Sequence, residues 1–239
     1  MWPDSRRTCE CNKKAGGKLN TLVTANGINS VIHGRKAGFL NASTDVDSML
    51  HEPTINTIVI ATQHNSHAKY VIDSLKVGKS VWVEKPLGID RESLVSIETA
   101  YKNALKEAGN PKFGPQLMVG FNRRFSPQIQ KMYSLLSNLN APKSIVITVN
   151  AGFIPKEHWT QDPIKGGGRI IGECCHFIDL MRFLVGSKIT SINGQAMVSN
   201  SSRETLLDRS SITLGFEDGS FGTILYLANG ASNFPKERI

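Results

Sequence analysis

Thr57-Ile58-Val59-Ile60-Ala61-Thr62-Gln63-His64-Asn65-Ser66-His67, with the chain that runs on from it to Val81-Trp82-Val83-Glu84-Lys85-Pro86-Leu87, decides the fold. Residues 57–61 are a near-continuous apolar run and read as a strand covered on both faces. Residues 62–67 are polar and read as a loop. Ala68, Val71, Ile72 and Leu75 then recur at i, i+3, i+4 and i+7, an amphipathic helix that Gly78 closes. Val81-Trp82-Val83 is the next strand. Strand, loop, helix and strand in succession are the signature of βαβ units and a parallel sheet.

Upstream, Leu19 to Val23 is a short strand candidate ending at Thr24-Ala25-Asn26-Gly27, followed by a helical stretch from Ile28 to Ala37 and a short helix from Asp45 to Leu50. Downstream, Asp90 is a suitable N-cap for a long helix presenting Leu94, Ile97, Tyr101, Leu105 and Ala108 and stopping at Gly109. Gln116 to Phe121 is another strand. After about residue 122 the pattern changes. Ser126-Pro127 opens a helix carrying Ile129, Met132 and Leu136, and Ile145 to Val149 is a strand. Cys174 to Val185 is a helix ended by Gly186. Ile212, Leu214 and Phe216 alternate before the turn Glu217-Asp218-Gly219-Ser220 and the return strand Phe221 to Leu227. The chain divides at 121/122, with α+β character and a mixed or antiparallel sheet in the second part. Residues 234–239 show no clear final element, which predicts an incomplete sheet.

The composition, 40% hydrophobic and 20% charged, is that of a soluble globular protein. No apolar run approaches the roughly 18 to 20 residues of a membrane span. Met1 to Arg7 has no apolar core behind its charges, so no secretory signal is expected, which points to the cytoplasm. The net charge of +8 raises nucleic-acid binding as a reading. Yet Arg6, Arg7, Lys13, Lys14 and Lys18 against Asp4 and Glu10 supply +3 of it. The rest is scattered without interleaved aromatics, so a solvated basic face, or attraction of anionic substrates, fits better. Cys9, Cys11, Cys174 and Cys175 lack the C-x-x-C spacing of zinc knuckles. Adjacent cysteines on a helix point about 100° apart, so reduced thiols are expected rather than a metal site.

Three groups of residues carry chemistry. Glu84-Lys85-Pro86 follows a strand directly, and ligands of doubly wound sheets sit at the carboxyl ends of strands. Proline restricts the residue before it and admits a cis bond, which would fix where Lys85 points. The alternative is an ordinary charged pair at a strand end. Gly166-Gly167-Gly168 precedes Glu173, His176 and Asp179, whose i, i+3, i+6 spacing keeps neighbours near one helix face. A histidine with flanking carboxylates suits proton transfer near neutral pH. A partly buried His176 tied to Asp179 is the competing reading. Gly120-Phe121-Asn122-Arg123-Arg124-Phe125 also follows a strand. Its Asn122 and Arg123 could grip phosphate or sugar hydroxyls, or its arginines could form ion pairs between domains.

Ala61-Thr62 with His67, Glu84-Lys85-Pro86, the Gly120 to Phe125 segment, and the glycine run with His176 and Asp179 occur in an order that resembles the Gfo/Idh/MocA oxidoreductases, from about residue 13 onward. Ala61 to Ala68 together with Ile170-Ile171-Gly172-Glu173 is most similar to a branch sometimes fused to a zinc-type alcohol dehydrogenase domain. The resemblance implies an α/β fold: an incomplete Rossmann-type NAD(P)-binding domain over residues 1–121, then an α+β domain with an open sheet over 122–239 for substrate binding and homo-oligomerisation. It implies hydride transfer between a nicotinamide and a carbinol carbon of a sugar, cyclitol or nucleotide sugar. Lys85 would hydrogen-bond the reacting hydroxyl and the cofactor ribose, and His176 would shuttle the proton. Thr62, Gln63, His64 and His67 would line the cofactor, with Glu84 shaping the turn. Asn122, Arg123, Trp159, Glu173 and Asp179 would lie on the substrate side.

Two departures from the pattern stand out. Many members of the family carry an aspartate four residues before the histidine, where this chain has Gly172. No G-x-G-x-x-G occurs anywhere in the 239 residues, and no acid follows Leu19 to Val23. That glycine loop is what presents backbone amides and a helix N-terminus to a pyrophosphate. NAD and NADP are therefore not distinguished. Lys13 to Gly17 resembles the end of a first helix, so an N-terminally truncated domain is expected. Beside the oxidoreductase stands a second expectation, a non-catalytic remnant or polyol-binding module.

Overall fold

The computed structural model describes residues 14–200 and 205–239. The expectations for Met1 to Lys13, including Cys9 and Cys11, lie outside the described residues. The chain forms two compact units that interleave in sequence.

The first unit comprises residues up to Ala61, Lys69–Val83 and Ser96–Met118. Strands β1 (Thr21–Val23) and β2 (Asn41–Ser43) form a parallel pair connected by helix α1 (Gly27–Ala37). Asn26 starts α1 by accepting the Ile28 N–H at 3.0 Å. Asp45 likewise accepts the Ser48 N–H at 3.1 Å and opens α2 (Val46–His51). Strand β3 (Thr57–Ile60) runs parallel to β4 (Ser80–Val83), and β5 (Leu117–Val119) pairs with the far edge of β4. Helix α3 (His67–Lys76) connects β3 to β4, and α4 (Arg91–Glu107), capped by Asp90, connects β4 to β5. The parallel α/β reading of this half is correct.

Two details differ from expectation. Ile58 and Ile60 are buried, but Val59 is 46% exposed, so β3 is covered on one face rather than two. A β-branched side chain suits a pleated strand whether or not that face is covered, which is why the apolar run overstated its burial. On α4 the buried positions are Ile97 and Ala104, and Leu94 is exposed.

The second unit comprises Thr62–Ala68, Glu84–Val95 and Val119–Ile239. The loops at the carboxyl ends of β3 and β4 therefore fold with it. Its sheet holds β6 (Ser144–Asn150), β7 (Ile189–Val198), β8 (Thr205–Phe216), β9 (Phe221–Leu227) and β10 (Glu237–Arg238), in the order β10-β6-β9-β8-β7. The β6–β9 pair is parallel, and β10–β6, β9–β8 and β8–β7 are antiparallel, so the sheet is mixed. One face packs on α5 (Pro127–Leu136) and α6 (Cys175–Val185). The core is Ile129 with Phe177, Leu180, Met181 and Leu184 against Ile145, Ile147, Val149, Leu214, Ile224 and Tyr226. Val146 and Phe221, pointing the other way, are exposed.

The expectation of a tail without a final element is corrected: Glu237 and Arg238 pair with Val149 and Thr148. Two residues are too few to display an alternating pattern. Strand β7 gave no signal because most of its residues are exposed, so no buried face writes a period of two into the sequence. Ile147 has no exposure at all. Ile147→Ala should destabilise the chain by about 2–5 kcal/mol, read as a lower urea midpoint at unchanged m-value.

Candidate active site

The site belongs to the second unit and is built from three segments. The first is a 3-10 turn, His64–Ser66, leading into α3. The second is the turn after β4, where the Lys85–Pro86 peptide is cis. The third is the glycine run and a π-helical turn, Ile170–Cys174, that leads into α6. Extra residues in such turns re-aim side chains and are common at functional sites.

That π turn corrects the regular-helix spacing assumed for Glu173, His176 and Asp179. It shifts the phase between residue 173 and those on α6, and Glu173 and Asp179 are held by different arginines. Glu173 accepts hydrogen bonds from Arg169 Nη2 and from the Tyr226 hydroxyl, each at 2.6 Å. Arg169 also donates to Tyr226 Oη, Gly152 O and Ala151 O. Burial opposes ionisation of Glu173, but the Tyr226 and Arg169 hydrogen bonds outweigh it and hold its pKa below the ordinary value. Asp179 is gripped by both Arg124 Nε, at 2.6 Å, and Arg124 Nη2. These two carboxylates brace the fold, and neither is arranged as a partner for His176.

His176 is 5% exposed, and its Nδ1 is buried without a hydrogen-bond partner. Burial, with Arg123 and Lys85 nearby, pushes its pKa down to about 3. The ring is therefore neutral at pH 7, edge-on to Phe121 at 5.9 Å. Lys85 donates from Nζ to the Gly172 carbonyl at 2.8 Å. An ammonium has three N–H groups, so two remain for other acceptors. Glu84 turns back on its own chain and accepts the Lys85 N–H at 3.3 Å.

The residues expected to line a cofactor fall into two sets. Thr62 and Gln63 are exposed, with the Thr62 hydroxyl 2.6 Å from Ser66 Oγ. His67 is fully buried, and its ring nitrogens lie 2.8 Å from Pro86 O and 3.1 Å from Thr62 O. It links two loops from a fully buried position. His64 is 7% exposed, 2.8 Å from Gly166 O through Nδ1 and edge-on to Trp159 at 4.7 Å. Burial pushes its pKa down to about 4, helped by Lys85 and His67 and opposed by the Gly166 carbonyl.

On the expected substrate side, Asn122 is exposed and Arg123 is ion-paired to Glu237 on β10 while lying over the Phe177 ring. Both arginines form ion pairs, but with partners in the same unit, so the expectation of ion pairs between domains is corrected. Sequence reasoning missed Arg169 and Tyr226. The i, i+4 spacing of Arg169 and Glu173 was a usable signal; Tyr226 offered none, lying 53 residues from its partner. Cys174 and Cys175 are free thiols, with burial raising their pKa values to about 12 and about 11.

The chain thus holds a parallel α/β unit and a mixed-sheet unit, the latter with Lys85 and His64 bonded to glycine carbonyls. Comparison with known proteins gives the family. Residues 20–109 match the model of the oxidoreductase family with NAD-binding Rossmann fold, and 139–234 match the GFO/IDH/MocA C-terminal domain. The chain belongs to the Gfo/Idh/MocA oxidoreductase family.

It is 28% identical over 187 residues to the uncharacterized oxidoreductase YrbE of Bacillus subtilis, covering 76% of this chain and 51% of that protein. It is also 28% identical over 197 residues to scyllo-inositol 2-dehydrogenase (NAD(+)) of B. subtilis, covering 80% and 54%. The chain thus spans about half the length of the curated relatives it matches. Among solved structures, an oxidoreductase domain protein from Kribbella flavida superposes with a TM-score of 0.77 at 22% identity, covering 91% of this chain and 62% of that one. Levoglucosan dehydrogenase in complex with NADH and levoglucosan gives 0.77 at 21%, covering 90% and 59%.

Two measurements check the site. A Cβ on Gly166 would lie 2.5 Å from Thr160 Cα and 2.5 Å from Trp159 O, backbone atoms that cannot turn aside. Gly166→Ala should therefore cost about 1–3 kcal/mol of stability in urea unfolding. His64 and His176 both titrate below the ordinary 6.5, so the unfolded chain takes up their protons first. Their contribution to stability is whole above pH 6.5 and declines as pH falls toward 4 and then 3. In melts between pH 7 and pH 4, His176→Gln should lose stability more gently than the native chain; an identical slope would show that His176 is not buried neutral.

Proposed function

We propose that this chain carries the reaction site of a dehydrogenase acting on a carbinol carbon of a sugar or cyclitol. The observation that carries the reading is the unpartnered, buried Nδ1 of His176 in the neighbourhood of the Lys85 ammonium. An orphaned buried polar atom costs about 1–3 kcal/mol, and a substrate hydroxyl would relieve that cost.

The residues present fit the nicotinamide end of a dinucleotide: Lys85, neutral His176 and exposed Thr62 and Gln63 suit it. A bound nicotinamide supplies or accepts the hydride. Lys85 donates one of its remaining N–H groups to the reacting oxygen and so stabilises alkoxide charge as it develops. Neutral His176 takes the hydroxyl proton at Nδ1. The positive charges of Lys85 and Arg123 that depress the histidine also favour the alkoxide, so donor and acceptor are shifted together.

The same reading includes NAD or NADP without preference, a cytoplasmic enzyme, and kinship with the branch sometimes fused to zinc-type alcohol dehydrogenases. A homo-oligomer with no nucleic-acid or membrane partner completes it. The exposed sheet face with Val146 and Phe221 supports assembly. Among the described residues no helix is long and apolar enough to cross a membrane. Beside it stands a second reading, a polyol-binding module without turnover.

Titration with NADH and NADPH, followed by nicotinamide fluorescence, separates the two readings. Binding tighter than about 100 μM, within the usual range for enzyme substrates, supports the dehydrogenase; no binding of either supports the module. If turnover is present, Lys85→Ala should lower kcat by about 10²–10³-fold with an unchanged circular dichroism spectrum.

A further inference from the structure

His64 and Gly172 are spatially matched. A Cβ built on Gly172 would lie 3.0 Å from His64 Cε1 and 3.3 Å from its Nδ1, so the imidazole fills the room a side chain at 172 would need. The Gly172 carbonyl, meanwhile, accepts the hydrogen bond from Lys85 Nζ. One residue therefore borders both the lysine and the imidazole. The Gly166 carbonyl accepts from His64 Nδ1–H, which sets the tautomer and leaves the lone pair on Nε2, bonded to the same Cε1 that faces Gly172. The edge contact with Trp159 fixes the ring plane. His64 is thus an oriented hydrogen-bond acceptor beside an ammonium donor.

We propose that His64 is a substrate-binding residue, accepting a hydrogen bond from a polyol hydroxyl at Nε2, and that the absence of a side chain at Gly172 is what admits it. The inference rests on the polyol reading above and deepens it. Lys85 donates to one oxygen while His64 accepts from a neighbouring hydroxyl, so the preferred ligand carries vicinal hydroxyls. Because burial and the Lys85 charge keep the ring neutral, the acceptor persists through the physiological range.

Calorimetric titration of the intact chain with myo-inositol tests this, comparing the native protein with His64→Gln, His64→Phe and Gly172→Ala. His64→Phe should weaken binding about tenfold, the loss of one hydrogen bond to a buried group. His64→Gln, whose side-chain oxygen is an acceptor, should recover part of it. Gly172→Ala should weaken binding by displacing the ring and lower the melting temperature; added to His64→Ala, it should lower that temperature far less. Native binding with undiminished affinity in His64→Phe would overturn the role of His64 while leaving the polyol reading intact. No binding by the native chain would overturn both. Equal destabilisation by Gly172→Ala in the two backgrounds would overturn the matched pair, and a folded His64→Gln keeps the binding comparison valid if His64→Phe does not fold.

Discussion

Two backbone carbonyls, those of Gly166 and Gly172, hold the basic side chains of two separate loops. Gly166 O receives His64 and Gly172 O receives Lys85. Carbonyls are usable this way only where the chain is not spending them on a regular helix, and the segment between them is a glycine run entering a π turn. Close approach then needs the absence of side chains, since a Cβ at either position would meet existing atoms at 3.0 Å or less. The geometry of the site follows from where this irregular segment enters α6.

Around it, charge is either neutralised or turned to use. Asp179 and Glu173 are held by Arg124 and Arg169, and Arg123 is held by Glu237. Sequestering both carboxylates keeps negative charge off His176, where the neighbouring charges are those of Arg123 and Lys85. That arrangement yields two neutral histidines beside an ammonium, so hydrogen-bond acceptors and a donor stand together. Fully buried His67, reaching carbonyls of both loops, supports the same arrangement from beneath.

Much of this was legible beforehand. The βαβ pattern from Thr57 to Val83, the cap at Asp90, the helix opened by Ser126-Pro127 and the hairpin of Phe216 and Phe221 all follow from local chemistry, and the structure has them. The Lys85 and His176 motifs were found because strand ends and glycine runs mark them. The carboxylates were misread because a regular helix was assumed; one π turn changes which residues share a face, and no residue pattern announces it. The partners of Arg123 and Arg124, and the Tyr226 that meets Glu173, lie 114, 55 and 53 residues away, beyond any local rule.

The sequence alone therefore determined most of the elements, the family resemblance and the identity of the basic residues, because periodicity, capping and motif order are local properties. Tertiary structure decided their chemical state. Burial made His64 and His176 neutral, Arg169 and the remote Arg124 took the acids away, and the bare α-carbon of Gly172 left a space that only a folded chain could fill with His64. Desolvation and close packing are set by what surrounds a group in space, and the order of residues does not state that.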